Sequence, residues 1–181
     1  MRRSGFALVA IVAIVLGTMP APASAERTTL LPERARVDAF TQSLGVYIAR
    51  LEIPAIGLDE IVRQGVDLSV IDKGVAHWSG TAGPGAIGNM VLAGHRTTET
   101  APFVDLDQLA PGDAVTITGV DGRVADYAVI ETVIVTPDEM WIVDQTESPM
   151  LTMFACHPKG SATHRIVVRA ELADQPVVQF P

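Results

Sequence analysis

Residues 114–136 read AVTITGVDGRVADYAVIETVIVT, two runs rich in Val, Ile and Thr with Asp121-Gly122 between them. Branched side chains of this kind favour extended backbone. An Asp-Gly pair between two such runs is a strong signal for a tight hairpin turn. The stretch therefore predicts two antiparallel strands, over residues 114–120 and 124–136.

Runs of the same character lie on both sides of this hairpin and are separated by Gly, Pro and Asp. They cover residues 47–53, 60–66, 89–95, 150–156 and 165–172. Helical material is scarce, since residues 67–74 and 102–109 each predict no more than a turn or two. Many short strands with so little helix favour an all-β domain, either a closed barrel or a sandwich.

The first 25 residues have the features of an export signal. Two arginines precede an apolar run over residues 5–19, and the segment ends in Ala23-Ser24-Ala25. This ending predicts cleavage after Ala25, but an uncleaved run could also anchor the chain in a membrane, and both alternatives stay open. We expect an exported protein, secreted or held at the extracellular face of the cell membrane. A linker over residues 26–46 precedes one domain over residues 47–181.

The formal net charge of the 181 residues is -8. Proteins that bind nucleic acid do so chiefly through clustered Lys and Arg, which contact the phosphate backbone. The acidic balance therefore argues against a nucleic-acid partner.

Cys156 is the only cysteine in the sequence. An exported chain stabilised by disulfides needs cysteines in pairs, and Cys156 has no partner within the chain. Three interpretations remain: a small buried apolar residue, a bridge to another molecule, or a reactive thiol.

A reactive thiol needs a proton-transferring partner and a positive group that stabilises the oxyanion formed after attack on a carbonyl. His95, Cys156 and Arg165 could supply these three parts. His95 and Cys156 each close a predicted strand, and Arg165 opens one. If the three strands are neighbours, these side chains meet at one rim of the domain.

Three motifs in this order resemble the sortase family of cell-surface transpeptidases: VLAGHR at residues 91–96, LTMFACHP at residues 151–158, and then Arg165. The resemblance covers residues 47–172. The run over residues 65–115, and the spacing of CHPKGSATHR at residues 156–165, look like the class E branch that is common in actinobacteria.

The resemblance implies a closed, eight-stranded β-barrel that needs no cofactor. It makes Cys156 the nucleophile, His95 the general acid and base, and Arg165 the clamp for the oxyanion and substrate. The implied substrate is a sorting peptide of the LPxTG or LAxTG kind, cut after its Thr through a thioester at Cys156. An amine from a cell-wall precursor or a pilin then accepts the acyl group. The alternatives are an exported cysteine peptidase with water as acceptor, and a non-catalytic barrel that binds peptide or wall polymer.

This chain departs from the family pattern beside the nucleophile. The family usually has Thr-Leu-x-Thr-Cys, whereas this chain has Thr152-Met153-Phe154-Ala155-Cys156. The resemblance makes Thr152 and Ala155 substrate-binding residues, and the hydroxyl missing from Ala155 bears on peptide preference. The segment over residues 136–149 is short for a loop that shapes the peptide groove in the family.

The other notable side chains are assigned to structural or solvent-exposed roles. His157 should point away from Cys156 because side chains alternate along a strand. We expect His77 and His164 to be structural or solvated. Trp78 and Trp141 could line a peptide groove or pack in the core, and we expect core packing. The histidines lack metal-ligand spacing. No EF-hand spacing relates the remaining acidic candidates, so we expect them to form a solvated face without calcium: Asp105, Asp107, Asp138, Glu139 and Asp144.

Overall fold

The computed structural model describes residues 45–173. The predicted signal segment, the linker as far as residue 44 and the final residues 174–181 lie outside this range, so those assignments stay predictions. Within residues 45–173, no helix has both the length and the apolar character needed to cross a membrane.

Eight strands form a closed barrel in the order β1-β2-β3-β4-β7-β8-β6-β5. Their bounds are Tyr47–Ile53 (β1), Leu58–Gln64 (β2), Val75–His77 (β3), Gly88–Ala93 (β4), Ala114–Gly119 (β5), Val124–Val135 (β6), Pro149–His157 (β7) and His164–Leu172 (β8). The barrel predicted from the family resemblance is confirmed, and the sandwich is excluded.

The helical segments are short, as the sequence predicts. Within residues 45–173, a single α-helical turn, α1, covers Leu68–Ile71, and Val70 anchors it in the interior. Three 3₁₀ turns in the same range cover Pro54–Ile56, Leu106–Gln108 and Met140–Val143.

The hairpin around Asp121-Gly122 joins β5 to β6 as predicted. Thr118 pairs with Val124 in the antiparallel register, and Gly119 N–H donates to the carbonyl of Arg123 over 2.8 Å. Gly122 has a φ of 81°, in the left-handed region that glycine adopts at least cost.

The sequence did not predict β3, although it predicted the other seven strands. β3 has only three residues, pairs in parallel with β2 and antiparallel with β4, and completes the ring. All three of its side chains are buried, so it shows none of the inside-outside alternation that identifies a strand.

The core fills the barrel interior with apolar side chains from every strand. Alternate residues of β6 (Ala125, Tyr127 and Val129) and of β7 (Leu151, Met153 and Ala155) point inward. Each fully buried aliphatic side chain contributes about 1.5–3 kcal/mol relative to an exposed one. The register of β7 is therefore fixed by its inward face, which also decides the direction of every outward side chain.

Candidate active site

Cys156 lies near the end of β7, on the outer face of the barrel. Leu151, Met153 and Ala155 belong to the core, so the alternation of a strand places Cys156 outside. The thiol is free and partly exposed. The structure thus removes the interpretation of Cys156 as a core residue.

Arg165 is directly opposite Cys156 in the antiparallel pairing of β7 with β8. Directly opposed residues of such a pair have Cβ atoms about 4.5–5.5 Å apart on the same face. Nη1 of Arg165 donates to the carbonyls of Ala162 at 3.0 Å and His164 at 2.9 Å. These bonds fix the guanidinium group, and Arg165 and Cys156 line the same pocket.

His95 reaches Cys156 from the other side, because β4 and β7 pair in parallel. The last registered pair is Ala93 with Phe154, and the N–H of Gly94 donates to the carbonyl of Phe154 over 3.3 Å. Continuing this register by one more residue beyond Gly94 places His95 next to Cys156.

Both ring nitrogens of His95 have partners. Nε2 lies 2.8 Å from Oδ1 of Asp72, the residue that follows α1. Nδ1 lies 3.0 Å from the hydroxyl oxygen of Thr98. No feature of the sequence singled out Asp72 or Thr98.

A pocket of about 180 Å³ brings the three predicted residues together. It is lined by His95, Cys156 and Arg165, and by a mainly apolar remainder: Leu68, Ile71, Ala93, Gly94, Phe154 and Ala155. The site is therefore a depression on the outer face at the β4, β7 and β8 ends, with α1 as one wall.

The β4–β5 loop that carries His95 is braced by Arg96, whose side chain is 1% exposed. Nε of Arg96 donates to the carbonyl of Val104 over 2.8 Å, and Nη2 lies 2.8 Å from Oδ1 of Asp107. Burial tends to raise the pKa of Asp107, but Arg96, the backbone N–H of Asp107 and Lys159 together hold that pKa below its ordinary value.

Lys159 extends this contact to the loop that follows the nucleophile. Its Nζ lies 3.2 Å from Asp105 and 3.4 Å from Asp107. The loops after His95 and after Cys156 are thereby tied to each other. Two of the acidic residues assigned to a solvated face are in fact paired with basic side chains.

Thr152 and Ala155 occupy different positions from Cys156. Thr152 is fully buried, and its hydroxyl donates to Oδ1 of Asn89 over 2.8 Å. It does not line the pocket, so this arrangement does not support direct contact between Thr152 and a peptide. Ala155 packs its methyl group into the core while bordering the pocket floor.

The β6–β7 loop covers the outer face of β4 and β7 above Thr152. Asn89 Nδ2 donates to the carbonyls of Ile142 and Asp144, at 3.0 and 3.1 Å. Gln145 bonds the backbone of Asn89 in both directions, at 3.2 and 3.1 Å. The loop, despite its short length, is therefore fixed over Asn89 on the outer face of the barrel.

The remaining histidines and tryptophans surround the site without lining the pocket. His77 is buried, His164 is exposed, and β7 continues through His157, which therefore points away from Cys156 as predicted.

Trp78 is half-buried against Phe154, with ring centroids 6.2 Å apart. Trp141 is 39% exposed and lies beneath the guanidinium of Arg169, so the predicted core position of Trp141 is wrong.

Among the described residues, no group of three or more His, Cys, Asp or Glu side chains is arranged to hold a metal ion.

Comparisons with known proteins identify the family of this chain. A family model described as the sortase domain matches residues 51–173. Sortase D of Bacillus subtilis is 30% identical over 134 residues, which cover 72% of this chain and 66% of that protein. Sortase SrtE1 of Streptomyces coelicolor is 25% identical over 146 residues, covering 72% of this chain and 42% of that protein. The chain thus spans less than two thirds of the length of these relatives.

Among solved structures, sortase C from Clostridium perfringens bound to the C-terminal cell-wall sorting motif superposes with a TM-score of 0.65. It is 29% identical, and the match covers 72% of each chain. The family model, the eight-stranded barrel and the order of His95, Cys156 and Arg165 around one pocket lead to the same conclusion. This chain belongs to the sortase family.

Proposed function

We propose that this protein is a cysteine transpeptidase that cuts a sorting signal of the LPxTG or LAxTG kind after its Thr. The observation that carries the proposal is the convergence of Cys156, His95 and Arg165 on one outward-facing pocket. A thiol, an imidazole and a guanidinium group supply the nucleophile, the proton carrier and the oxyanion partner that acyl transfer to sulfur requires.

The first half-reaction forms a thioester. The Cys156 thiolate attacks the Thr carbonyl carbon, and Arg165 donates hydrogen bonds to the oxyanion that develops. The bond from that carbon to the next residue's nitrogen then breaks. The imidazolium of His95 gives its proton to the departing amine.

The second half-reaction reverses these roles. An acceptor amine attacks the thioester carbon and loses a proton to His95, and the Cys156 thiolate leaves. The new amide bond joins the sorted protein to the acceptor. We assign the acceptor to an amine of a cell-wall precursor or a pilin.

Apolar side chains around the thiol support a peptide with aliphatic residues. Leu68 is 71% exposed and forms one edge of the pocket, with Ile71 and Phe154 beside it. Such surfaces gain free energy when they are covered by apolar groups. The Clostridium perfringens sortase C structure holds a C-terminal cell-wall sorting motif, which supports a ligand of the same kind here.

The location we propose is the extracellular face of the cell membrane, or the medium if the leader is removed. The support is in the sequence, where the apolar run over residues 5–19 follows two arginines. Protease added to intact cells should digest the domain if this location is right. Protection from that protease until the cells are lysed would contradict it.

Intact-protein mass spectrometry tests the proposed function directly. The protein is incubated with a panel of LPxTG and LAxTG peptides, and an acyl adduct on Cys156 is expected for at least one of them. Cys156→Ala should give no adduct, and His95→Ala should form it far more slowly. Absence of an adduct across the panel and its sequence variants would reject the transpeptidase.

Product analysis separates transfer from hydrolysis. With an added amine nucleophile, the transferred product should replace the hydrolysed peptide. If the free acid alone forms at every amine concentration, the protein is a cysteine peptidase with water as acceptor. A peptide that binds without any bond cleavage would indicate a non-catalytic barrel.

A further inference from the structure

The proposed reaction assigns no role to Asp72, which contacts His95 from the C-terminal end of α1. Its Oδ1 atom lies 2.8 Å from Nε2 of His95, although 23 residues separate the two in sequence. The side chain of His95 is 20% exposed and that of Asp72 is 46% exposed. The contact is therefore partly open to solvent, which weakens the electrostatic attraction between the two groups.

The chemistry of the two partners of His95 decides where the ring protons lie. An ionised carboxylate only accepts hydrogen bonds, so Nε2 must carry a hydrogen to bond Asp72. A neutral imidazole then has only Nδ1 as an acceptor. The hydroxyl of Thr98, 3.0 Å from Nδ1, can donate to it. Both contacts are satisfied by one neutral tautomer, with its proton on Nε2.

The backbone around Asp72 is held by the barrel. Asp72 ends α1, where its N–H donates to the carbonyl of Leu68 over 2.8 Å. The carbonyl of Lys73 accepts a bond of 3.0 Å from Nη1 of Arg63, which lies on β2. Gly74 then leads directly into β3. These bonds fix the backbone from which the Asp72 carboxylate reaches His95.

We propose that Asp72 is a positioning residue for His95, and that Nδ1 of His95 is the nitrogen that exchanges protons with the reacting amines. This inference rests on the proposed transpeptidase function. In the unliganded protein the Thr98 hydroxyl occupies Nδ1. The bond to Asp72 persists because a charge-assisted hydrogen bond is about twice as strong as one between neutral groups.

The protons balance in both half-reactions. In the imidazolium form, the Nε2–H group keeps its hydrogen bond to Asp72. The Nδ1 proton moves to the departing amine as the carbon–nitrogen bond breaks. The neutral ring that remains is the tautomer that the contacts with Asp72 and Thr98 favour. The acceptor amine later returns one proton to Nδ1, which restores the imidazolium.

The charges around His95 explain why a carboxylate is useful there. Among the described residues, Asp72 at the end of α1 contacts the ring, and Cys156 from β7 and Arg165 from β8 line the same pocket. The guanidinium of Arg165 repels an imidazolium, and Asp72 supplies the compensating negative charge from the opposite wall. An orienting carboxylate behind a catalytic imidazole performs the same task in serine-protease triads.

Kinetics of the Asp72→Asn variant provide the first test. Asparagine keeps the shape of the side chain and removes its charge, so kcat should fall at least about tenfold while KM changes by less than about threefold. Asp72→Glu should recover part of kcat. The matched control is Asp67→Asn at the other end of α1, where the carboxylate makes no capping hydrogen bond, and its kinetics should equal those of the wild type.

The tautomer of His95 provides the second test and does not depend on activity. Nitrogen-15 spectra of the unliganded full chain at alkaline pH should show the His95 proton on Nε2, with Asp72→Ala giving a mixture of tautomers. His95→Gln assigns the signals. Asp72→Asn with a kcat within twofold of the wild type, or a wild-type proton on Nδ1, would overturn the proposal. If the wild type forms no acyl adduct, the proposed function fails separately, and the spectra still decide the role of Asp72.

Discussion

At the scale of single residues, one step along β7 separates a core side chain from the proposed nucleophile. Ala155 points into the barrel, and Cys156 points out between Arg165 on β8 and His95 beyond β4. A cysteine in the core would be an inert apolar residue. Because Cys156 is free and faces a pocket with a guanidinium and an imidazole, its position fits chemistry rather than packing.

The first prediction concerns the planar guanidinium group of Arg165, whose N–H donors point in fixed directions. Arg165→Lys keeps the positive charge but replaces the directed N–H pair with a single ammonium group. Loss of an oxyanion donor costs about 100-fold or more in rate, so kcat/KM should fall by that order. The measurement is steady-state transfer of the peptide that gives the Cys156 adduct.

The control for this prediction is Arg123→Lys in the β5–β6 hairpin, where the arginine side chain is 81% exposed. Its kinetics should match the wild type. Circular dichroism should show a folded barrel in both variants. If Arg165→Lys keeps most of its activity, the role of Arg165 as an oxyanion clamp is wrong.

The sequence was sufficient to predict that Cys156, His95 and Arg165 meet at one place, because each stands at the end or start of a predicted strand and their motifs resemble those of sortases. Asp72 could not be predicted, since an acidic residue after a helical turn is ordinary on a protein surface. Its contact with His95 depends on the fold, which brings the end of α1 close to the end of β4. Thr152 was assigned to substrate binding from the sequence, but the fold shows that its hydroxyl donates to a buried partner, Asn89.

At the scale of elements, the end of β4 depends on a close packing of the chain on itself. The N–H of Phe103 donates to the carbonyl of His95 over 3.1 Å, so the loop folds back over the strand end. Phe103 is fully buried. A Cβ atom at Gly94 would lie 2.7 Å from the ring of Phe103 and 3.1 Å from Pro102. Only glycine lets the loop approach this closely.

Gly94→Ala should therefore harm both stability and activity. The added methyl group must displace the ring of Phe103, and overpacking of this kind costs about 1–3 kcal/mol of unfolding free energy. His95 follows Gly94 directly, so kcat should fall as the imidazole shifts. Urea denaturation and steady-state kinetics measure the two effects.

Gly83→Ala is the matched control for this glycine, because no atom lies within 4 Å of a Cβ built there. Its stability and activity should stay close to those of the wild type. A Gly94→Ala protein with unchanged stability would mean that the loop over Phe103 yields easily, and the close packing would then not explain the glycine.

Most of the elements followed from local sequence, and the reasons for the exceptions are physical. The β5–β6 hairpin was predicted because Asp121-Gly122 fixes its turn, and β1 matched its predicted bounds at Tyr47–Ile53. Strand β2 was predicted two residues late, since β1 fixes its register from across the sheet. Strand β3 is defined only by its two neighbours. Pairing between distant segments is information that a local pattern does not hold.

At the scale of the whole molecule, the barrel buries one titratable side chain at the junction of β2, β3 and the loop that follows β3. Nδ1 of His77 lies 2.9 Å from the side-chain amide of Gln64, and Nε2 lies 2.9 Å from the carbonyl of Ala82. Burial lowers the pKa of His77, and the hydrogen bond to Ala82 offsets this only in part. Folding therefore favours the neutral ring.

The stability of the barrel should consequently fall as the solution becomes acidic. In the unfolded chain His77 takes up a proton near its ordinary pKa of about 6.5. In the folded barrel His77 does so only at a lower pH. Between those two values the unfolded state binds more protons, so stability rises with pH. The contribution is fully present above about pH 6.5 and is lost as the pH drops toward the folded value.

Urea midpoints measured across this range check the sign, with His77→Gln expected to show a shallower slope than the wild type because it removes the group that titrates. His164→Gln, which alters an exposed histidine, should keep the slope of the wild type. A slope that is the same in His77→Gln and in the wild type would assign the acid sensitivity to other groups. Stability that increases as the pH drops would show that the fold favours the charged form of His77.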